Sequence, residues 1–296
     1  MASINPTARR FKQVDVFTNR PFLGNPVAVV LDADGLDETQ MLAIARWTHL
    51  SETTFIQEPR DASADYRLRI FSAEGEMPFA GHPSIGSAHA YIEGLANAWS
   101  SNVIRQECGI GIVSFSIEVD GSIRRIFLEM PPPTLERTFE ESTEEITSAL
   151  GALVCNKPAP ASFNTGPIWL VAYFEDEKLV RNMQPDMAAV SQLSNRLGIY
   201  GITAFSFAAE DDARVRVRSF APARGTEEDP VCGTGNAAVA AFLSSGGLLS
   251  KVGKEYVATQ GQELGRDGRV CVRILDGGAI AIGGAALTVI EGEIRA

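Results

Sequence analysis

The sequence predicts an α+β fold of two pseudo-symmetric halves, each a curved, mainly antiparallel sheet around a central helix. Three observations predict it. Strand-like segments rich in Val, Ile and Phe alternate with a few helical patterns along all 296 residues. A motif occurs twice, half a chain apart. Each half also contains one helix made almost wholly of small or apolar residues. The motif reads Arg69-x-Phe71, a loop, Pro78-x-x-Gly81, then the helix; it returns as Arg218-x-Phe220, a loop three residues longer, then Pro230-x-x-Gly233 and the helix. The offset is 230 − 78 = 152 and 233 − 81 = 152 residues. A repeat of half the chain means two similar domains rather than a solenoid of short units.

The elements follow in order. Phe11 to Phe17 and Pro26 to Leu31 read as strands bounded by Gly, Asn and Pro. Asp37 with Gln40 three residues on makes a capping box that opens a helix, and Met41, Ile44, Ala45 and Trp47 give it an apolar stripe. Thr53 to Gln57 and Tyr66 to Phe71 return to strand, and a helix follows Gly81-His82-Pro83. Strands resume at Val103 to Arg105, Gly111 to Val119 and Ile123 to Leu128, with Asp120-Gly121 as a hairpin signal. Pro131-Pro132-Pro133 reads as a linker, dividing a first half, residues 1–131, from a second, residues 132–296. In the second half, Asn164 to Pro167 with the strand at Ile168 to Phe174 matches Thr18 to Val30. The helix at Met187 to Leu197 matches that at Met41 to Leu50, and Gln260-Gly261 matches Glu107-Cys108-Gly109. The helices through Ile85–Ile92 and Ala237–Phe242 are apolar all round, so each is expected to be buried all round. The cleft between two such halves is the expected ligand site.

Composition limits the function classes. Lys and Arg number 26 against 37 Asp and Glu, a formal charge of −11, which repels phosphate backbones and argues against nucleic acid as a partner. No apolar run approaches the ~20 residues of a membrane span, and Met1 to Arg10 carries no signal-peptide pattern. The four cysteines, Cys108, Cys155, Cys232 and Cys271, are scattered without a CxxC pair. That is the usage of a cytoplasmic protein with free thiols and no structural zinc. With three histidines and no HxH or HExxH spacing, a metal site is not expected. No GxGxxG follows a strand, so hydride transfer is not supported.

The chemistry is expected at the two helix starts. Gly81-His82 and Gly233-Thr234 each lead into a buried helix, where unpaired N–H groups and the positive end of the dipole suit a small carboxylate. Either motif alone is an ordinary cap; the pair at symmetric positions points to function. Ionisable groups break the symmetry. Asp229 has Met77 as its counterpart, His82 has Thr234, and the segment matching Leu50-Ser51-Glu52 carries no carboxylate. Glu52, His82 and Asp229 form a proton-transfer set if one site gathers them, with burial expected to raise the Glu52 pKa. Taken singly, each also reads as an ordinary structural residue. His49 and His89 read as structural.

These residues make the chain similar to the phenazine-biosynthesis PhzF-like family. The match runs through Val14 to Thr18 and Gly24 to Val29, Leu50 to Phe55, Pro78 to Pro83, Glu228 to Gly233, and Gln260 to Arg266. The resemblance implies the diaminopimelate-epimerase-like fold and, often, a homodimer. It implies cofactor-free isomerisation of a small acid such as trans-2,3-dihydro-3-hydroxyanthranilate, with no cofactor bound. By position, Glu52 is the implied proton carrier, with His82, Asp229 and Thr234 around the substrate; Thr234 stands where the family isomerase has Ser. Gly81, Gly233, Asn25 and Ser51 complete the implied substrate-binding set.

Two other readings stay open. Superfamily epimerases place a Cys before Gly at both helix starts; Cys232-Gly233 has that form, whereas Ala80-Gly81 does not. A one-thiol epimerase or dehydratase would use Cys232, which a helix N-terminus can turn into a low-pKa thiol; the competing reading is a small buried residue. The third reading is a small-acid-binding protein without turnover.

Overall fold

A computed structural model describes residues 7–95, 99–208 and 212–296. The N-terminal residues 1–6, part of the segment read above for a targeting signal, lie outside the described residues. The chain divides into two compact units, residues 1–128 with 284–296, and residues 129–283. The linker prolines 131–133 lie beside that division. The sequence-based second half, 132–296, differs at its end: residues 284–296 pack with the first unit. Their strand hydrogen-bonds to the N-terminal strand, pairing residues 270 to 287 positions apart, which no local pattern announces.

In the first unit, β1 (Ala8–Val16) runs antiparallel to β2 (Asn25–Val30) on one side and to the C-terminal segment on the other, from Ala8↔Arg295 to Val16↔Ala286. Helix α1 (Glu38–Thr48) carries the chain from β2 to β3 (Thr53–Gln57), which is parallel to β2. Strand β4 (Tyr66–Phe71) pairs antiparallel with β3 and with the two-residue β5 (Glu76–Met77). Helix α2 (Gly81–Gly94) then crosses to β6 (Val103–Cys108), parallel to β4. The meander β6, β7 (Gly111–Asp120) and β8 (Ile123–Met130) follows, with Asp120 facing Ile123 across a two-residue turn.

The second unit repeats this order. After β9 (Thr134–Thr138) and α3 (Thr143–Leu150), β10 (Ala161–Asn164) runs antiparallel to β11 (Ile168–Tyr173). Helices α4 (Glu177–Asn182) and α5 (Met187–Leu197) lead to β12 (Gly201–Phe207), parallel to β11 as β3 is to β2. Strand β13 (Val215–Ala221) pairs antiparallel with β12 and with β14 (Thr226–Asp229). Helix α6 (Gly233–Ser245) crosses to β15 (Glu255–Gln260), parallel to β13 as β6 is to β4. Strand β16 (Gly268–Ile274) closes the repeat. Each unit is thus mainly antiparallel, with parallel pairs where a helix makes the crossover.

Both central helices are buried, as their composition requires. Every residue from Pro83 to Ala90 of α2 and from Gly235 to Leu243 of α6 is buried. Helix α2 packs on β1, β2, β3 and β4; α6 packs on β10, β11, β12 and β16. Gly86 allows the close approach: a Cβ there would sit 2.5 Å from Val27 and 2.9 Å from Val16. The repeat extends to side chains. Arg69 forks onto Glu76 at 2.7 and 2.5 Å and stacks over Phe71 at 5.2 Å. Arg218 forks onto Glu228 at 2.8 Å and stacks over Phe220 at 5.0 Å. A Cβ on Gly109 would come within 2.7 Å of Pro78, and one on Gly261 within 2.5 Å of Pro230.

The capping box of α1 forms as read: Gln40 N–H donates to Asp37 at 2.8 Å, and Asp37 N–H to the Gln40 side chain at 3.0 Å. Its stripe is Met41, Ile44 and Ala45. Trp47 does not belong to it and is 79% exposed. Six residues at 3.6 per turn place it about 120° round the helix from Met41.

Candidate active site

The predicted site residues fall into two groups, one in each unit. In the first, α1 ends where His49 takes a left-handed conformation, φ 56°. The chain turns through Ser51 and Glu52 into β3, so Glu52 stands at the strand entrance. His82 is the second residue of α2. Glu52 Oε2 and His82 Nε2 lie 3.5 Å apart, with the side chains 16% and 10% exposed. Neither atom meets solvent or has a hydrogen-bond partner. Buried polar atoms usually find partners within the chain, so this pair is available to a ligand or a proton. The N-cap of α2, Ala80, offers no side-chain bond, and the first turn holds no acidic residue. Gly81 therefore begins a helix whose positive end is not neutralised from within. Asn25 is buried at the start of β2, opposite Val16, and Ser51 is exposed beside Glu52.

In the second unit, Asp229 ends β14 and accepts the Val231 N–H at 3.1 Å, which shapes the turn through Pro230. Cys232 is the N-cap of α6, its Sγ accepting the Gly235 N–H at 3.3 Å. Burial and the neighbouring Asp229 charge push its thiol well above the ordinary range, outweighing the Gly235 N–H and the Thr234 hydroxyl. Of the two readings of Cys232, burial favours the small buried residue over the low-pKa thiol: the helix terminus favours the thiolate, but desolvation of a fully buried sulfur opposes it more strongly. Thr234 Oγ1 accepts the Trp169 indole N–H at 2.9 Å and lies 3.6 Å from Cys232 Sγ. Gly233 opens the helix between them.

Two residues in this group were not singled out from sequence. Gln260 accepts the Cys232 N–H at 3.2 Å and the Asn236 amide at 3.0 Å, and donates to the Asp229 carbonyl at 2.9 Å. It thus braces the whole turn from Asp229 to Cys232. Its place in the repeated Gln260-Gly261 segment was the available signal. Trp169 gave none, because its partner lies 65 residues away. Within the units, then, the structure joins Glu52 to His82, and Cys232 to Asp229 and Thr234.

A hollow of about 1190 Å³ in the first unit holds none of the predicted residues; its walls include Lys12, His89, Glu93, Arg124, Thr288 and Glu291. Among the described residues, no three His, Cys, Asp or Glu side chains are grouped to hold a metal ion. None of the described helices is long and apolar enough to cross a membrane.

Comparison with known proteins places the chain in a family. The PhzC-PhzF model, described as phenazine biosynthesis-like protein, matches residues 14–292. Antisense-enhancing sequence 1 of Schizosaccharomyces pombe is 38% identical, covering 97% of this chain and 99% of its own. Trans-2,3-dihydro-3-hydroxyanthranilate isomerase of Pseudomonas chlororaphis is 33% identical over 86% of each chain. The crystal structure of the Bacillus anthracis phenazine biosynthesis protein, PhzF family, superposes with a TM-score of 0.85 at 25% identity, covering 98% of this chain and 100% of its own. The chain belongs to the phenazine biosynthesis-like family.

Proposed function

We propose that this chain, an isomerase of the phenazine biosynthesis-like family, moves a proton on a small carboxylic acid without a cofactor, with Glu52 as the general acid/base. The observation that carries the reading is the Glu52–His82 pair, whose facing atoms are buried, 3.5 Å apart and otherwise unbonded. A carboxylate in that setting can take a proton from a C–H bond and return it to another carbon of the same substrate. The bond broken and the bond formed are both C–H, and Glu52 ends as it began. No electrons leave the substrate, so no redox group is required. His82 orients the substrate beside the carboxylate; Asp229 and Thr234 enter as the substrate-binding residues that the family resemblance implies.

The Pseudomonas chlororaphis relative is named for trans-2,3-dihydro-3-hydroxyanthranilate, which makes that cyclic amino acid the first substrate to test. The alternative in which Cys232 is the base is weakened by the burial that keeps its thiol protonated. The test is an NMR assay of that compound in D₂O with the wild-type chain and Glu52→Gln. Isomerisation by the first and not the second supports the reading. Turnover by Glu52→Gln at close to the wild-type rate overturns it.

A further inference from the structure

The Trp169 indole N–H donates to Thr234 Oγ1 at 2.9 Å. An indole nitrogen only donates, so the hydroxyl must accept, and its own hydrogen must point elsewhere. The other polar atom described beside it is Cys232 Sγ at 3.6 Å, a weak acceptor. One lone pair of Thr234 is thereby taken by the indole, and its O–H is left without a strong acceptor among the described neighbours.

Trp169 is held firmly enough to impose this. It is 1% exposed. Its ring packs against Tyr200 at 5.1 Å, and Arg224 stacks on the other ring at 5.9 Å. Gly201, its register partner on β12, makes room for it: a Cβ there would sit 2.7 Å from indole Cζ3. A buried indole N–H needs a partner, and in this pocket the partner is Thr234.

We infer that Trp169 is a positioning residue that orients the Thr234 hydroxyl to donate to an oxygen of the substrate, so that the start of α6 favours a carboxylate or carbonyl. This rests on the proposed function in taking Thr234 to touch substrate. Both N–H groups at a helix start and a committed O–H donor then present hydrogens to the same kind of group.

The test uses the full chain labelled with ¹⁵N at its three tryptophans, with anthranilate and benzoate as probes. The Trp169 indole signal, identified by its loss in Trp169→Phe, should shift in Thr234→Val and stay nearly in place in Thr234→Ser. Anthranilate should bind the wild type and Thr234→Ser within about twofold of each other, and bind Trp169→Phe and Thr234→Val about tenfold more weakly. An indole signal unmoved in Thr234→Val overturns the inference, and so does wild-type affinity in both weakened variants. If Trp169→Phe fails to fold, Thr234→Val and Thr234→Ser still decide. A wild-type chain that binds neither probe also overturns it. Binding with the expected variant pattern, but without turnover of trans-2,3-dihydro-3-hydroxyanthranilate, supports the inference and counts against the proposed reaction alone.

Discussion

Glu52 Oε2 faces His82 Nε2 across 3.5 Å, with neither atom otherwise hydrogen-bonded. A charge-assisted N–H···O bond closes to about 2.7–2.9 Å, so the pair is in contact but not locked together. The parallel β2–β3 ladder places Glu52 at its mouth, and α2, packed on the same strands, brings His82 to it. A loosely engaged acid and imidazole can exchange their mutual contact for a substrate, which a tight ion pair would resist.

Glu52→Gln is nearly isosteric and should leave the melting temperature close to that of the wild type. Its kcat should fall by at least ~10²-fold, the usual contribution of a positioned acid/base group. Steady-state kinetics beside a thermal melt separates loss of chemistry from loss of fold.

Cys232 should resist alkylation. Its sulfur is buried and its thiol is held protonated at neutral pH. Iodoacetamide at pH 7 should modify the partly exposed Cys108 or Cys271 first and leave activity intact, as read by peptide mass spectrometry. Inactivation that tracks modification of Cys232 would restore the thiol as candidate base.

Glu93 should make stability depend on acid. Burial alone would raise its carboxyl, but His89, Thr288 and Lys12 together hold it far below the ordinary carboxylate range. A folded-state pKa below the unfolded value of 4.5 means stability that is complete above that pH and lost as pH falls towards the folded pKa. The wild-type melting temperature should therefore drop more steeply below pH 4.5 than that of Glu93→Gln. Parallel slopes in a series of melts would remove Glu93 from the account.

The two equivalent forks should differ in weight. Arg218 and Glu228 are 6% and 8% exposed, against 16% and 35% for Arg69 and Glu76. Removing one partner of a buried pair costs ~3–5 kcal/mol, and of an exposed pair ~1 kcal/mol or less. Urea unfolding of Glu228→Ala and Glu76→Ala should show the first more destabilised by a few kcal/mol. Equal losses would mean that burial is not what separates them.

Gly86→Ala should destabilise by ~1–3 kcal/mol, because the new methyl meets Val27 and Val16 side chains inside a packed interface. Denaturant midpoints measure it, and an unchanged midpoint would show that α2 can move away from β1 and β2 without cost.

Much of this architecture was legible because burial leaves a local rhythm. The strands at Thr53–Gln57 and Tyr66–Phe71 stand where their runs of β-branched and aromatic residues put them, and the helix at Met187–Leu197 where its match to the first-half helix put it. Trp47 shows the limit of that reading: an apolar residue near a stripe looks like part of it until the helix angle is counted. Glu52, His82 and Asp229 were visible because they break a repeat, not because any spacing assigns them a role.

By itself, the sequence determined the duplication, the two buried helices and the candidate residues at their starts, since a half-length repeat and an all-apolar helix are properties of the chain read in order. Tertiary structure alone decided which side chains meet. Residues 284–296 joined the first unit, Trp169 found Thr234 across 65 residues, and Gln260 braced the turn before α6. It also decided between the two readings of Cys232, where a local dipole favours the thiolate and burial by distant segments removes the water that would stabilise it. Solvation and pairing are set by what packs against a residue, and linear spacing does not carry that information.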